Sequence, residues 1–288
     1  MEMKIKTFLL LGGLTVLLVL GGSFFGKSGM IIAFIIALAM NGFSYFFSDK
    51  LVLAMYRARA VSYNEYPVLY NIMGELTQKA GMPMPKLYLV SSATPNAFAT
   101  GRDPQHSAVA VTTGILDLLS ENELKGVLAH ELSHIKDRDI LLATIAATIA
   151  GAITFLASMM RWAAMFGGGM GGGSDNRRSG GSMIGLAGML LFAVLAPIAA
   201  MIVQLAISRS REYLADAEGA RLAGNPLYLS SALKRLTQGV KARPMNNANP
   251  STAHLFIVAP LTGKSLLNLF STHPPMEERI RRLENLVV

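Results

Sequence analysis

Four apolar stretches constrain this chain more than any other feature. Thr7 to Phe25, Gly29 to Phe47, Ile140 to Met160 and Met183 to Ile207 contain no charged residue. Each is close to the ~20 residues that cross a hydrocarbon core about 30 Å thick. Only 15% of the 288 residues are charged and 52% are hydrophobic, against roughly a quarter charged in ordinary soluble domains. The sequence therefore predicts four transmembrane helices. Lys4 and Lys6 before the first stretch resemble the basic start of a cleaved signal. The run is too long for such a signal, however, and a second stretch follows at once, so it reads as a retained anchor.

Charge orients these spans. The N-terminal tail carries 2 Lys or Arg, residues 48–139 carry 9 and residues 208–288 carry 11, whereas the links on the opposite side hold only Lys27 and Arg161, Arg177 and Arg178. The positive-inside rule then puts both termini and both large polar segments in the cytoplasm. The net charge of +8 comes with no basic helix interleaved with aromatics, so anionic lipid headgroups, not nucleic acid, are the expected partner. The absence of cysteine excludes disulfides, a thiolate nucleophile and a cysteine-ligated metal site.

The chain divides into a transmembrane hairpin (1–47), a polar segment (48–139), a second hairpin with the glycine-rich link FGGGMGGGSDNRRSGG (140–207) and a second polar segment (208–288). In the first polar segment a helix runs from Tyr66 to Ala80 and stops at Gly81 and Pro83. KLYLVSS and SAVAVTTG read as strands, joined by a turn-rich connection with room for a short extended piece. Ser120 and Glu123 form a capping box that opens a helix through NELKGVLAHELSHI. No proline or glycine run separates it from the third apolar stretch, so the two read as one helix or as two closely coupled ones. Helices also follow in SRSREYLADAEGARLAG, in NPLYLSSALKRLTQGV and after Pro275, with a long irregular piece before the last. The class is α+β, with four transmembrane helices and a mainly helical domain carrying a small sheet.

His130-Glu131-Leu132-Ser133-His134 carries the chemistry. Positions i and i+4 share a helix face, so His130 and His134 can bind one metal, while Glu131, about 100° around, can take a proton from a metal-bound water. Zinc suits two imidazoles, a third protein ligand and an open position; it lowers the pKa of water to about 7 and polarises a carbonyl. The third ligand lies elsewhere, because the position six residues past His134 is Ile140. His106, His254, His273 and the carboxylates are the candidates. His134 lies about 9 Å from the edge of the third span and Glu212 about 7.5 Å from that of the fourth, at 1.5 Å per residue. A hairpin returns Glu212 to nearly the height of the histidines. Asp216 shares its face and can support a ligating imidazole through its second nitrogen.

HELSHIKDRD, SRSREYLADAEGA and THPPMEERIRRL together resemble the HtpX family of membrane zinc metallopeptidases, relatives of the CAAX prenyl endopeptidases, and the likeness covers most of the chain. The resemblance implies a zincin-type catalytic domain facing the cytoplasm of a bacterial inner membrane, with one zinc ion, Glu212 as third ligand and Asp216 as its supporting aspartate. It also implies quality control: hydrolysis of cytoplasmic parts of damaged or misassembled membrane proteins, a setting in which self-cleavage fits. Asn96, in an N-A-F setting, borders the active site in similar proteins, and His273 is placed to donate to the oxyanion as proposed for the prenyl endopeptidases. His254 and His106 read as structural. Asp137, Arg138 and Asp139 read as an interfacial charge cluster, and Arg279 as a partner for a site carboxylate. A transporter would place ionisable groups inside its spans. A structural zinc site needs four protein ligands, with His273 the available fourth, but has no use for Glu131. A processing peptidase with a few specific substrates is the alternative within the enzyme class.

Overall fold

The computed structural model describes residues 26–145, 209–243, 257–258 and 274–288, with scattered helical positions between 9 and 23. Most of the first, third and fourth apolar stretches, the glycine-rich link, His254 and His273 lie outside them. Among the described residues one helix is long and apolar enough to span a membrane: α1, Gly26–Met55. It exposes Ile31, Ile32, Phe34, Ile35, Ile36 and Leu38. Three of its five buried positions, Ala37, Ser44 and Ser48, are the small residues that let spanning helices approach closely. The Asn41 side chain donates to the Leu11 carbonyl (3.2 Å) and to Thr15 Oγ1 (2.8 Å), joining the first apolar stretch to the second.

Helix α1 does not end with its apolar stretch at Phe47. It continues to Met55, and its last turns bury Val52 and Leu53 against the back of a small sheet. Four strands, β1 (Arg59–Ala60), β2 (Lys86–Val90), β3 (Ala97–Gly101) and β4 (Ser107–Thr112), lie in the order β1-β2-β4-β3. β2 and β4 are parallel, with Leu87 opposite Val109, and β3 runs antiparallel to β4, with Ala99 opposite Val109. Alternation sorts the side chains to two faces. Leu87, Leu89, Ala97, Ala99, Val109 and Val111 join the main core, while Val90, Phe98, Ala108 and Ala110 meet α1 and Ala143 behind. With both faces covered, β4 can be the continuous small and apolar run SAVAVT.

The main core is closed by helices α2 (Pro67–Ala80), α3 (Thr113–Leu118), α4 (Glu121–Lys136), α5 (Arg209–Ala223), α6 (Pro226–Ala242) and α7 (Met276–Glu284). Gly81, the expected stop of that helix, ends α2 in the left-handed conformation at φ 64°. The expected strands and the extended piece between them form; β1 and α3 had no clear signature, being two and six residues long. Helix α4 leaves its path at Asp137 and Arg138, where Arg138 takes φ 61°, and a new helix begins at residue 139. The metal-motif helix and the described start of the third apolar stretch, residues 139–145, are thus two coupled helices, not one.

Candidate metal centre and active site

Helix α4 is fastened before it reaches its histidines. The Ser120 side chain accepts from the Glu123 backbone and the Glu123 carboxylate accepts from Ser120 N at 2.8 Å, the capping box predicted from their spacing. The same carboxylate receives Ser231 Oγ (2.6 Å) and Arg235 Nη1 (2.8 Å) from α6. Ten residues on, His130 and His134 stand one turn apart with their Nε2 atoms 3.2 Å from each other.

Helix α5 lies directly on α4 at Gly219. A Cβ there would sit 2.8 Å from His130 N and 2.9 Å from its Cα, so only glycine permits this approach. The contact brings Glu212 and Asp216, two turns and one turn earlier, to the histidines. Glu212 Oε1 is 3.5 Å from His134 Nε2, and its Oε2 is 4.0 Å from His130 Nε2. His130, His134 and Glu212 each offer a ligand atom within 4.8 Å of the others. Donors held about 2.05 Å from a tetrahedral ion lie about 3.3 Å apart, close to these spacings.

Behind the donors, His130 Nδ1 lies 3.0 Å from Asp216 Oδ1, at an angle that falls short of a hydrogen bond. Arg279 from α7, fully buried, grips Asp216 through Nε (2.8 Å) and Nη2 (2.6 Å), and its Nη1 approaches Glu212 at 3.5 Å. Burial pushes the His130 ring down to about 4, with the Asp216 contact opposing. Burial also disfavours charge on His134, but Asp139, Glu212 and Glu131 outweigh it and raise the ring to about 9. Arg279 likewise outweighs burial at Asp216 and holds it at about 2. Glu131, Glu212 and Asp216 are buried against the single buried cation Arg279 among the described residues. Neutral imidazoles leave this set two negative charges in excess, which a divalent cation would balance. The donor types, their spacing and this charge all fit a metal ion.

Glu131 points to the sheet. Thr112 N donates to the Asn96 carbonyl, so Asn96, Phe98 and Thr100 face β4 while Ala97, Ala99 and Gly101 turn their backbone groups to the open edge of β3. Ala99 N–H donates to Glu131 Oε2 at 2.9 Å. Asn96 is buried where β3 begins; its Oδ1 accepts from Ile257 N (3.2 Å), and its Nδ2 is buried with no hydrogen-bond partner among the described residues. Arg279 Nη1 donates to the Ile257 carbonyl at 3.4 Å, so Ile257 is held by both its backbone groups between Asn96 and the charged cluster. His106 lies at the surface, paired with Asp103 at 2.8 Å and away from the donors. Asp139, expected in an interfacial charge cluster, ion-pairs with Arg211 and faces His134. The Ala99 amide left no trace in the sequence, since every residue has a backbone N–H.

A cation held here beside a glutamate serves hydrolysis, and the domain is built onto a membrane-length helix: this is a membrane-associated metalloprotease. Residues 65–287 match Peptidase family M48. The chain belongs to that family, among its HtpX-type members. It is 54% identical over 287 residues to "Protease HtpX homolog" of Syntrophobacter fumaroxidans, covering 99% of this chain and 100% of that protein. It is 58% identical over 281 residues to the protein of the same name from Thermodesulfovibrio yellowstonii, with 97% of each covered. The crystal structure of S. mikatae Ste24p aligns with a TM-score of 0.53 at 18% identity, over 98% of this chain. That likeness is one of fold, and this chain spans just under two thirds (66%) of that longer protein.

Proposed function

We propose that this protein is a zinc endopeptidase of a bacterial inner membrane, with its active site and both termini on the cytoplasmic side, that cleaves cytoplasmic parts of damaged or misfolded membrane proteins. The observation that carries the reading is the buried His130–His134–Glu212 triad with Glu131 beside it, in a domain packed on the end of a membrane-length helix. His130, His134 and Glu212 hold the metal, and Asp216 supports His130. A bound zinc supplies a Lewis acid that acidifies water and polarises the scissile carbonyl. Glu131 takes the proton from the attacking water and passes it to the leaving amine. An extended substrate lies along the open edge of β3, adding a strand through backbone hydrogen bonds, and the unpaired Asn96 Nδ2 donates to it there. His273, outside the described residues, is assigned the oxyanion on resemblance alone. The pronounced basic bias of the polar segments, 20 of the 26 Lys and Arg residues, supports the cytoplasmic orientation.

The test compares wild type with Glu131→Gln on a membrane-protein substrate in liposomes, with bound metal measured in both. The variant is expected to keep one zinc per chain and lose about 10²- to 10⁴-fold in cleavage rate, the usual contribution of a positioned general base. Cleavage by the zinc-loaded variant at the wild-type rate would sink the mechanism.

A further inference from the structure

The two metal-donor histidines are backed in parallel ways by different parts of the chain. Behind His130 stand Asp216 and then Arg279 of α7. Behind His134, Asp139 Oδ2 lies 3.6 Å from Nδ1, and Asp139 is ion-paired in turn with Arg211 of α5. The 3.6 Å contact is an electrostatic one, longer than a hydrogen bond. All three side chains are shielded, with exposures of 16% for His134, 12% for Asp139 and 19% for Arg211. In both cases the order is imidazole, carboxylate, guanidinium.

This second arrangement depends on the break in α4. In an unbroken helix residues 134 and 139 would stand about 140° apart around the axis and about 7.5 Å along it, with their side chains diverging. The chain instead turns at Arg138, whose φ of 61° costs a non-glycine residue about 1 kcal/mol or more. The helix that restarts at residue 139 presents the Asp139 carboxylate to the His134 ring. Asp139 stands immediately before the third apolar stretch, and Arg211 stands four residues after the fourth and next to Glu212. One ion pair therefore joins the end of the first polar segment to the start of the second, at the point where Glu212 meets the histidines.

We propose that Asp139 and Arg211 are positioning residues for the metal centre. Asp139 fixes the orientation and tautomer of His134, and Arg211 holds Asp139 in place while fixing the start of α5, so that this ion pair helps set the donor spacing. The centre then has two carboxylate supports, one anchored by Arg279 of α7 and one by Arg211 of α5. This rests on His130, His134 and Glu212 being the ligands.

Full-length protein in detergent, stripped of metal, is titrated with Zn²⁺ against a competing chelator, and its melting is followed without metal. The variants are Asp139→Asn, the charge exchange Asp139→Arg/Arg211→Asp, and His134→Ala. Asp139→Asn is expected to weaken zinc binding about 10- to 100-fold, as loss of such supporting groups does. The exchange restores the ion pair and the metal-free melting temperature, yet leaves zinc binding at least about tenfold weak, because a guanidinium now faces Nδ1. Recovery of zinc affinity in the exchange would reduce the pair to a structural clasp and overturn the proposal. Wild-type affinity in Asp139→Asn would overturn it too, and that isosteric variant decides the matter if the exchange does not fold. His134→Ala binding zinc as tightly as wild type would instead refute the ligand set itself, a distinct failure.

Discussion

Replacing Gly219 by alanine should damage the metal centre without touching any of its polar groups. The added Cβ would lie 2.8 Å from His130 N, 2.9 Å from His130 Cα and 3.1 Å from the Ala129 carbonyl carbon. Ordinary contact begins near 3.4 Å, so α5 must retreat from α4 by about 0.6 Å, and because the opposing atoms are backbone, no side chain can yield instead. Glu212 and Asp216 ride on α5, and ligand distances tolerate only about 0.2 Å. Overpacking of this kind costs about 1–3 kcal/mol, set against up to about 1 kcal/mol gained by replacing glycine inside a helix. The metal-free protein is thus expected to lose up to about 2 kcal/mol, while zinc affinity falls about 10-fold or more. Gly74→Ala is the matched control: its Cβ meets nothing within 4 Å, so the same change in α2 should leave zinc binding alone and raise stability slightly. Chelator competition and thermal melts of the detergent-solubilised protein read both effects. If Gly219→Ala binds zinc within about twofold of wild type and melts no lower than Gly74→Ala, the packing argument is wrong.

Two further outcomes follow from the charged groups. Arg279→Met leaves Asp216 and Glu212 buried without their cation and should cost about 3–5 kcal/mol. Arg235→Met, at a side chain 47% exposed, should cost about 1 kcal/mol or less; equal losses in chemical unfolding would refute the assigned role of Arg279. At Glu123, burial raises the carboxyl, but hydrogen bonds from Ser231 and Ser120 and the Arg235 contact outweigh it and hold it below its ordinary 4.5. A depressed folded-state value stabilises above the unfolded value and is lost as pH falls through the folded one. The gap between wild type and Glu123→Gln, about 1–3 kcal/mol, should therefore be full at pH 7 and shrink below about pH 4.5. A gap that does not change with pH would contradict it.

Much of this architecture was legible along the chain because its signals are local. The apolar run within α1, the capping box at Ser120, the glycine that ends α2 and the one-turn spacing of His130 and His134 are each set within a few residues. An expected hairpin return singled out Glu212 by distance along the sequence, and the structure groups it with His130 and His134. Other features needed the packed molecule. Arg138 carries no glycine or asparagine signature for its left-handed backbone, so the break that turns Asp139 toward His134 could not be read locally. The sequence offers Arg279 as a partner for a site carboxylate, but does not show that it is fully buried on Asp216 while Arg281, in the same run MEERIRRL, is 71% exposed. Nor does sequence mark which amide of β3 meets Glu131. Local propensity and spacing fix which residues share an element and a face. Which charges lose their water, and which carboxylate then backs which imidazole, depends on helices crossing at contacts as close as Gly219 on His130, between residues scores of positions apart.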